Sequence, residues 1–296
     1  MTEHRRGTLY GIAAYGMWGL FPLYWPHLKP AGAMEILAHR VVWSLVFSVF
    51  ALLVLRGAGQ VRQLGRRGLA LLALAAVFVS LNWFIYIWAV NHGHVVETAL
   101  GYFINPLVSV LLGVVFLGER LRRGQWIAVA IAASAVPVLA AGYGRLPWIA
   151  LLLAGSFGMY GFVKKKAGTP ALPSLTVETG LLFLPALGYL LVLQGRGEGS
   201  FGHGGPVLDL LLAACGVITA LPLLCFAAAA NRVPLSTLGL LQYLAPALQF
   251  LCGVLVFHEA MPWSRWVGFA LVWLGLGCFT VEAALHRRRL PVPTVV

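Results

Sequence analysis

Ten stretches of about 20 apolar residues follow one another along this chain, and they limit its fold more than any other feature. A helix of that length crosses the hydrocarbon core of a bilayer, which is about 30 Å thick. Two of the stretches are weaker, because 33–55 contains Glu35 and Arg40 and 174–194 contains Glu178. Outer-membrane barrel strands would instead alternate apolar and polar residues, and the sequence shows no such alternation. The ten windows are 8–26, 33–55, 69–90, 97–118, 125–143, 146–163, 174–194, 208–230, 235–257 and 265–284.

The composition excludes a soluble domain. The chain is 60% hydrophobic and 10% charged, whereas soluble domains carry roughly 45–50% apolar and about 25% charged residues. Four cysteines in 296 residues are too few for a disulfide scaffold, and their spacings match no metal or redox motif. Together with the ten windows, these numbers predict an all-α integral membrane protein with ten transmembrane helices.

The basic residues predict how the helices are oriented. With the N-terminus in the cytoplasm, the inner segments hold 16 of the 21 Lys and Arg residues and the outer loops hold four. An excess of this kind marks the cytoplasmic side of a membrane protein. The first window lacks a small-residue cleavage site at its end, which favours a retained helix over a signal peptide. We therefore expect both termini in the cytoplasm, and the net charge of +12 requires no nucleic-acid partner.

The second half of the chain repeats the first at a shift of 140 residues. Ten of 42 positions are identical between 89–130 and 229–270. Each half contains five windows, and this odd number places the two halves in opposite orientations. Many secondary transporters are built from such inverted repeats and bind their solute near the midplane between them. The predicted units are a first repeat at 1–143, a second repeat at 144–286 and a basic cytoplasmic tail at 287–296.

Prolines and polar side chains indicate that two windows line a cavity. Pro106 and Pro246 remove backbone donors inside the fourth and ninth windows, so the helices can bend and the carbonyls four residues earlier lose their partners. Tyr102 and Asn105 lie on one face of the fourth window, and Gln242 occupies the position of Tyr102 in the ninth. We interpret these residues as lining a substrate site. A proline kink with polar residues bonded between helices is the alternative.

Residues in the second, third and seventh windows complete the candidate site. Arg40 is a charge within a span, which is rare and usually functional, and Trp43 follows it on the same helical side. A cation there would attract anionic or zwitterionic solutes. Asn82 and Tyr86 are one helical turn apart in the third window. Glu178 lies about 14 Å from Arg40 in depth, too far for an ion pair, so each of the two must snorkel, find another partner or face water in a cavity. Glu178 is also a candidate for a protonatable coupling residue.

The sequence contains no motif for a metal, a cofactor or a catalytic site. The loop from His92 to His94 lacks an acidic or cysteine partner at ligand spacing. No nucleotide-binding loop or embedded zinc-protease signature is present. We therefore predict no catalytic residues, no metal and no cofactor.

Several asymmetric strings are specific enough to compare with known families. They are Glu35-Ile-Leu-Ala-His-Arg40-Val-Val-Trp-Ser44, Asn82-Trp83, Trp88-Ala-Val-Asn91, Leu100-Gly-Tyr-Phe-Ile-Asn-Pro-Leu107, Leu117-Gly-Glu-Arg120, Glu178-Thr179, Pro222-Leu-Leu-Cys-Phe226, Ser236-Thr-Leu-Gly239 and Gln242-Tyr243. The strings resemble the RarD branch of the EamA, or drug/metabolite transporter, superfamily. This resemblance implies ten transmembrane helices in two inverted repeats, a bacterial inner membrane and export of a solute that it does not identify. It implies no catalytic residues, and the family-pattern positions are Arg40, Asn82, Tyr102, Asn105, Glu178 and Gln242.

We predict a secondary transporter that moves a small organic solute, metabolite or drug by alternating access, with one repeat rocking against the other. Its expected partners are that small-molecule substrate and the lipid bilayer, and proton coupling is an open question. Two alternatives remain at this stage. One is a non-transporting assembly or sensor subunit. The other is a membrane-embedded enzyme, which would need a carboxylate pair, a His–carboxylate set or a metal cluster within the spans.

Overall fold

The structure, a computed structural model, describes residues 3–55, 57–118, 120–233, 237 and 241–289. Each of the ten windows predicted from the sequence contains helix. No strand occurs within these ranges. Seven of the described helices are long and apolar enough by composition to cross a membrane. The helices are α1 Glu3–Tyr24, α2 Ala33–Val54, α3 Arg66–Asn91, α4 Val95–Leu117, α5 Arg123–Tyr143, α6 Trp148–Ala167, α7 Ala171–Gly195, α8 Pro206–Ala230, α9 Leu244–Leu251 and α10 Trp263–Arg289. A 3-10 turn, Trp25–Leu28, follows α1, and a short helix, Ala58–Arg62, lies between α2 and α3.

Short connections make successive helices antiparallel, so the helix ends lie at two faces of the molecule. We call them the N-terminal face, where α1 begins, and the opposite face, where α2 begins. Contacts between distant helix ends agree with this arrangement. Arg232, after α8, pairs with Glu3 of α1 at the N-terminal face, and Arg145, before α6, pairs with Glu97 of α4 at the opposite face.

The two halves of the chain pack in a symmetric pattern. α4 packs on α6 as α9 packs on α1, and α3 packs on α6 as α8 packs on α1. The equivalent helices α2 and α7, α4 and α9, and α5 and α10 each pack on one another. This pattern is that of inverted repeats, as predicted from the odd number of windows in each half. Because most of these contacts join different halves, the repeats are interleaved rather than placed side by side.

The two prolines occupy different positions in their helices. Pro106 lies inside the continuous helix α4, as predicted. Pro246 lies in the first turn of α9, directly after a turn at Gln242 and Tyr243. The carbonyl of Gln242 cannot receive a hydrogen bond from Pro246, so the expected kink becomes an interruption just before the proline. α9 continues into a π-helical segment, Cys252–Val256, while residues 235, 236 and 238–240 of the ninth window lie outside the described residues.

Two buried apolar clusters flank the centre of the molecule. One includes Trp25 and Ile36 near the opposite face, and the other includes Leu139 and Phe269 where α5 packs on α10. The polar residues described next lie between helices that border the first cluster.

A backbone contact between α2 and α8 positions the polar centre. A Cβ at Gly216 of α8 would overlap the carbonyl oxygen of Trp43 on α2. Only glycine permits so close an approach of the two helices. Thr219 lies nearly one turn further along α8, and this close approach brings it to Arg40.

Candidate functional site

The charged residue of α2, Arg40, is enclosed by aromatic side chains. Its guanidinium carbon lies 3.8 Å from the centre of the Trp83 ring, 5.2 Å from that of Trp25 and 5.7 Å from that of Phe21. Its Nε donates a hydrogen bond of 2.9 Å to Oγ1 of Thr219. Arg40 is only 4% exposed. We call these five residues the arginine cage, and they come from α1 and its following turn, α2, α3 and α8.

The charge of the arginine cage is not neutralised by a carboxylate. The ion pairs in the described part of the chain all involve other basic residues. A guanidinium has five N–H donors, and within the same ranges one of them is bonded, to Thr219. The indole Nε1 of Trp25 is also buried without a hydrogen-bond partner there. Aromatic faces stabilise the cation by about 0.5–2 kcal/mol each, but they accept none of the free in-plane donors.

A hydrogen-bonded chain of polar residues connects α3, α4 and α6 beside the arginine cage. Nδ2 of Asn82 donates to the carbonyl of Leu153 and to Oγ of Ser156, both at 3.1 Å. The Tyr102 hydroxyl donates to Oδ1 of Asn82 at 3.0 Å. The rings of Tyr86 and Tyr102 lie 5.7 Å apart, and the Tyr86 hydroxyl is buried without a partner among the described residues. Asn82 therefore orients Tyr102, while Tyr86 retains a free polar group.

Asn105, one turn beyond Tyr102, lies between these hydrogen-bonded residues and a cleft. Its Oδ1 is buried with no hydrogen-bond partner in the described ranges, and it lies 3.6 Å from where a Cβ of Gly158 would be. Gly158 lines a cleft of about 340 Å³ between α4 and α6, which also includes Ser109 and Lys165. These residues lie in the second halves of α4 and α6, so the cleft belongs to the half of the molecule nearer the N-terminal face.

Burial differs between the two halves of α4. Residues 95–107, nearer the opposite face, are mostly buried, and residues 108–116 are mostly half-buried or exposed. The helix α4 is therefore more closely packed toward the opposite face than toward the N-terminal face.

Carboxylates link helix starts at the closely packed opposite face. Glu97 of α4 binds Arg145 at 2.7 Å and accepts the backbone N–H of Ile149 at 3.2 Å, at the start of α6. Glu259, which follows α9, accepts the backbone N–H groups of Val95 and Val96 at the start of α4. A carboxylate at a helix N-terminus binds orphan N–H groups and the positive end of the helix dipole. Burial raises the pKa of Glu259 to about 6 even though these donors favour its charged form.

Glu35 supplies a third such link. It is 4% exposed and accepts both the backbone N–H and the hydroxyl of Ser200, at 2.6 and 2.9 Å. Glu35, Glu97 and Glu259 lie near the ends of apolar windows, and the sequence gives no signal for partners 48 to 165 residues away.

Glu178 lies in a separate network nearer the N-terminal face. Its carboxylate accepts hydrogen bonds from Ser174 at 2.6 Å and Tyr160 at 3.2 Å, and Lys164 lies 3.2 Å away. The side chain is only 2% exposed, so Glu178 does not snorkel to the surface in this conformation. As the depth argument predicts, its ionic partner is a residue other than Arg40.

Two of the predicted site residues lie away from the arginine cage. The ring of Trp43 packs 6.3 Å from that of Phe201, in the loop before α8. Gln242 lies half-buried in the turn before α9. Helical spacing places Trp43 on the same side as Arg40, but the loop residue Phe201 determines where its ring packs.

Four cage residues carry weaker sequence signals than Arg40. Phe21 and Trp25 are one turn apart at the end of the first window, and Trp83 follows Asn82 within a family-pattern string. Thr219 precedes Pro222 in the eighth window without any charge nearby. What these four residues share is that they lie close to Arg40, and this closeness is visible only in the tertiary structure. No group of three His, Cys, Asp or Glu residues suited to hold a metal ion occurs among the residues that the structure describes.

Comparisons with known proteins relate the chain to membrane transporters. A profile of the EamA-like transporter family matches residues 5–140 and again residues 146–281. Protein RarD of Streptomyces exfoliatus is 60% identical over 289 residues, which are 97% of this chain and 92% of that protein. An uncharacterized transporter of Bacillus subtilis (strain 168), YojE, is 47% identical over 291 residues and 97% of each chain. Protein RarD of Escherichia coli (strain K12) is 42% identical over 97% of this chain and 98% of its own.

The chain also resembles a solved structure, described only as a crystal structure of protein. The two share 22% sequence identity and a TM-score of 0.59 over 95% of this chain and 98% of the other. At that identity the similarity concerns the fold alone.

Proposed function

Since this chain belongs to the EamA-like transporter family, we propose that it is a secondary transporter that moves a small organic solute across the membrane by alternating access. We further propose that the N-terminal face is the cytoplasmic face of a bacterial inner membrane, that both termini lie there, and that the solute is exported. The asymmetry of the basic residues supports this orientation.

The observation that carries the proposal is the uncompensated charge of Arg40 between helices of both repeats. A buried cation without a carboxylate partner is strongly disfavoured in a membrane interior unless a ligand or water compensates it. The cage draws α1, α2 and α3 from the first half and α8 from the second. A site between inverted repeats is the position expected for the solute of a secondary transporter.

The solute site in this proposal contains fewer residues than the site predicted from the sequence. Arg40, Asn82, Tyr86, Tyr102 and Asn105 contact the solute, because they form the cage and the polar chain beside it. Trp43 and Gln242 are left out, since their observed positions give them no contact with these groups within the described residues.

The interleaved packing supports moving units other than the two sequence repeats. α3, α4 and α6 pack together, and their symmetry equivalents α8, α9 and α1 form a matching group. Opening the opposite face would separate α4 from α9 and break the contact of Glu259 with Val95 and Val96. Pro106 and the interruption before Pro246 lie in these two helices and permit them to bend.

We propose Glu178 as the residue for proton coupling. It is a buried carboxylate with one cationic partner, Lys164, and lies nearer the N-terminal face. Protonation would remove the ion pair with Lys164, so the charge state of Glu178 is linked to this side-chain contact between α6 and α7.

Efflux from proteoliposomes tests the proposed function. Purified protein is reconstituted, loaded with a mixture of amino acids, nucleosides, organic acids and drugs, and followed by mass spectrometry with and without a pH gradient. We expect protein-dependent loss of at least one solute, reduced at least tenfold by R40Q. The matched control is R196Q, which removes an exposed arginine at the end of α7 and should leave efflux unchanged. Absence of protein-dependent efflux, with a partner protein that stays bound through purification, would instead support a non-transporting subunit.

A further inference from the structure

We infer that the transported solute carries a single carboxylate and that Arg40 is its counter-ion. The inference rests on the proposed function and specifies the substrate class of the same site. It follows from the hydrogen-bonding and charge balance of the arginine cage.

The cage contains an excess of donors. Thr219 accepts from Nε, and the other four guanidinium N–H groups and Nε1 of Trp25 have no acceptor among the described residues. A ligand that completes the cage must therefore bring acceptors. A carboxylate offers two oxygens with about four lone-pair sites and binds the fork of an arginine with two parallel hydrogen bonds.

The aromatic side chains leave the correct edge of the guanidinium available. The guanidinium carbon lies over the Trp83 ring, 3.8 Å from its centre, a separation that fits stacking of the two planes. Stacking uses the face of the guanidinium, whereas the N–H groups point outward within the plane. An anion can thus bind at the edge of Arg40 while Trp83 remains stacked.

The magnitude of the charge selects a monoanion. Arg40 is the only basic residue of the cage, and it offers one unit of positive charge. A carboxylate neutralises one unit, whereas a phosphate monoester carries about 1.5 to 2 negative charges at pH 7 and would leave an excess in a low-dielectric centre. Phe21, Trp25 and Trp83 suit an apolar body attached to the carboxylate.

Unpartnered groups near the cage suit a second polar contact. Oδ1 of Asn105 is a buried acceptor, and the Tyr86 hydroxyl is buried without a partner in the described ranges. A hydroxyl on the solute would donate a hydrogen bond to such groups. Buried polar atoms of this kind are normally satisfied by a ligand or ordered water.

Binding to the intact chain in nanodiscs tests this inference. The probes are linear monocarboxylates of two to eight carbons, benzoate and phenylacetate, each compared with its own amide and with the amine of the same skeleton. Succinate, inorganic phosphate and chloride are included as other anions. Binding is measured as the ligand-dependent rise in unfolding temperature, which follows ligand concentration relative to Kd.

We expect at least one monocarboxylate to bind at least tenfold more tightly than its amide and its amine. R40Q should abolish this preference, and R196Q should retain it. R40K provides a second variant in case R40Q is unstable: it keeps the charge, loses the two-pronged donor geometry and should weaken carboxylate binding about tenfold. The inference is overturned if no carboxylate is preferred over its amide, if phosphate or chloride binds more tightly than every monocarboxylate, or if both Arg40 variants keep the preference.

The efflux assay separates failure of this inference from failure of the proposed function. Protein-dependent efflux restricted to solutes without a carboxylate would leave the transporter in place and refute the role of Arg40 as counter-ion. Carboxylate binding without efflux of any solute would refute the transport function and leave the binding site in place.

Discussion

Replacing Gly216 by alanine should destabilise the protein and weaken the solute site, because this glycine is the point where α2 and α8 touch. The added Cβ would overlap backbone atoms of Trp43, and backbone cannot rotate away as a side chain can. Overpacking of this kind costs about 1–3 kcal/mol. Separation of the helices would also stretch the bond between Arg40 and Thr219, now 2.9 Å.

The expected size of the effect follows from three contributions. A hydrogen bond to a charged group contributes about 1.5–3 kcal/mol, of which a stretched bond loses part. Replacing glycine by alanine inside a helix stabilises the helix by about 0.5–1 kcal/mol, which partly offsets the other two contributions. Combining these with the overpacking term, G216A should lower the free energy of unfolding by about 2 kcal/mol.

Gly155 on α6 provides the matched control, since nothing lies within 4 Å of where its Cβ would be. G155A should be neutral or stabilising by up to about 1 kcal/mol. Both variants are compared by equilibrium unfolding in mixed detergent–SDS micelles followed by tryptophan fluorescence, and by monocarboxylate binding in nanodiscs. Equal stability of G216A and G155A would refute the close contact, and unaltered binding by a destabilised G216A would refute its link to the solute site.

Three further predictions concern the polar residues. N82L should remove the bond that orients Tyr102 and reduce efflux about tenfold while the protein remains monodisperse, whereas wild-type efflux would exclude a role for this pair. E178Q should abolish the stimulation of efflux by a pH gradient but preserve solute exchange without a gradient, because only the first requires a carboxyl group paired with Lys164; unchanged stimulation would exclude Glu178 from coupling. Because burial raises the pKa of Glu259 to about 6 from 4.5, the folded chain binds a proton that the unfolded chain lacks between these values, so this group stabilises the protein as the pH falls from about 7 to about 4. The gain is on the order of 2 kcal/mol; the difference in unfolding temperature between wild type and E259Q should vary over this range, and a constant difference would contradict the argument.

Hydropathy predicts the helices well because the bilayer imposes their length. The windows 33–55 and 208–230 correspond to Ala33–Val54 and Pro206–Ala230. The ninth window is the exception, because Pro246 interrupts backbone bonding near Gln242 and the helix starts again at Leu244. Average hydropathy does not register such a break, since proline and its neighbours do not make the window polar.

The site is less predictable because its residues meet only in the tertiary structure. The energetic cost of a buried charge identifies Arg40, but its hydrogen-bond partner Thr219 lies 179 residues away. Helical spacing also assigns Trp43 to the same side, but the ring contact of Trp43 in the structure is with Phe201. Internal repetition predicts the inverted halves, but it does not predict that they interleave.

Accessibility of position 105 tests the central claim, a solute site between the repeats that is reached from the N-terminal face. N105C is placed in a variant whose four native cysteines are replaced by serine, and a membrane-impermeant maleimide is added to vesicles of either orientation. The account predicts labelling at least tenfold faster from the N-terminal face, and slower labelling when a bound monocarboxylate occupies the site. Equal labelling from both faces, or no labelling until the protein is denatured, would contradict it.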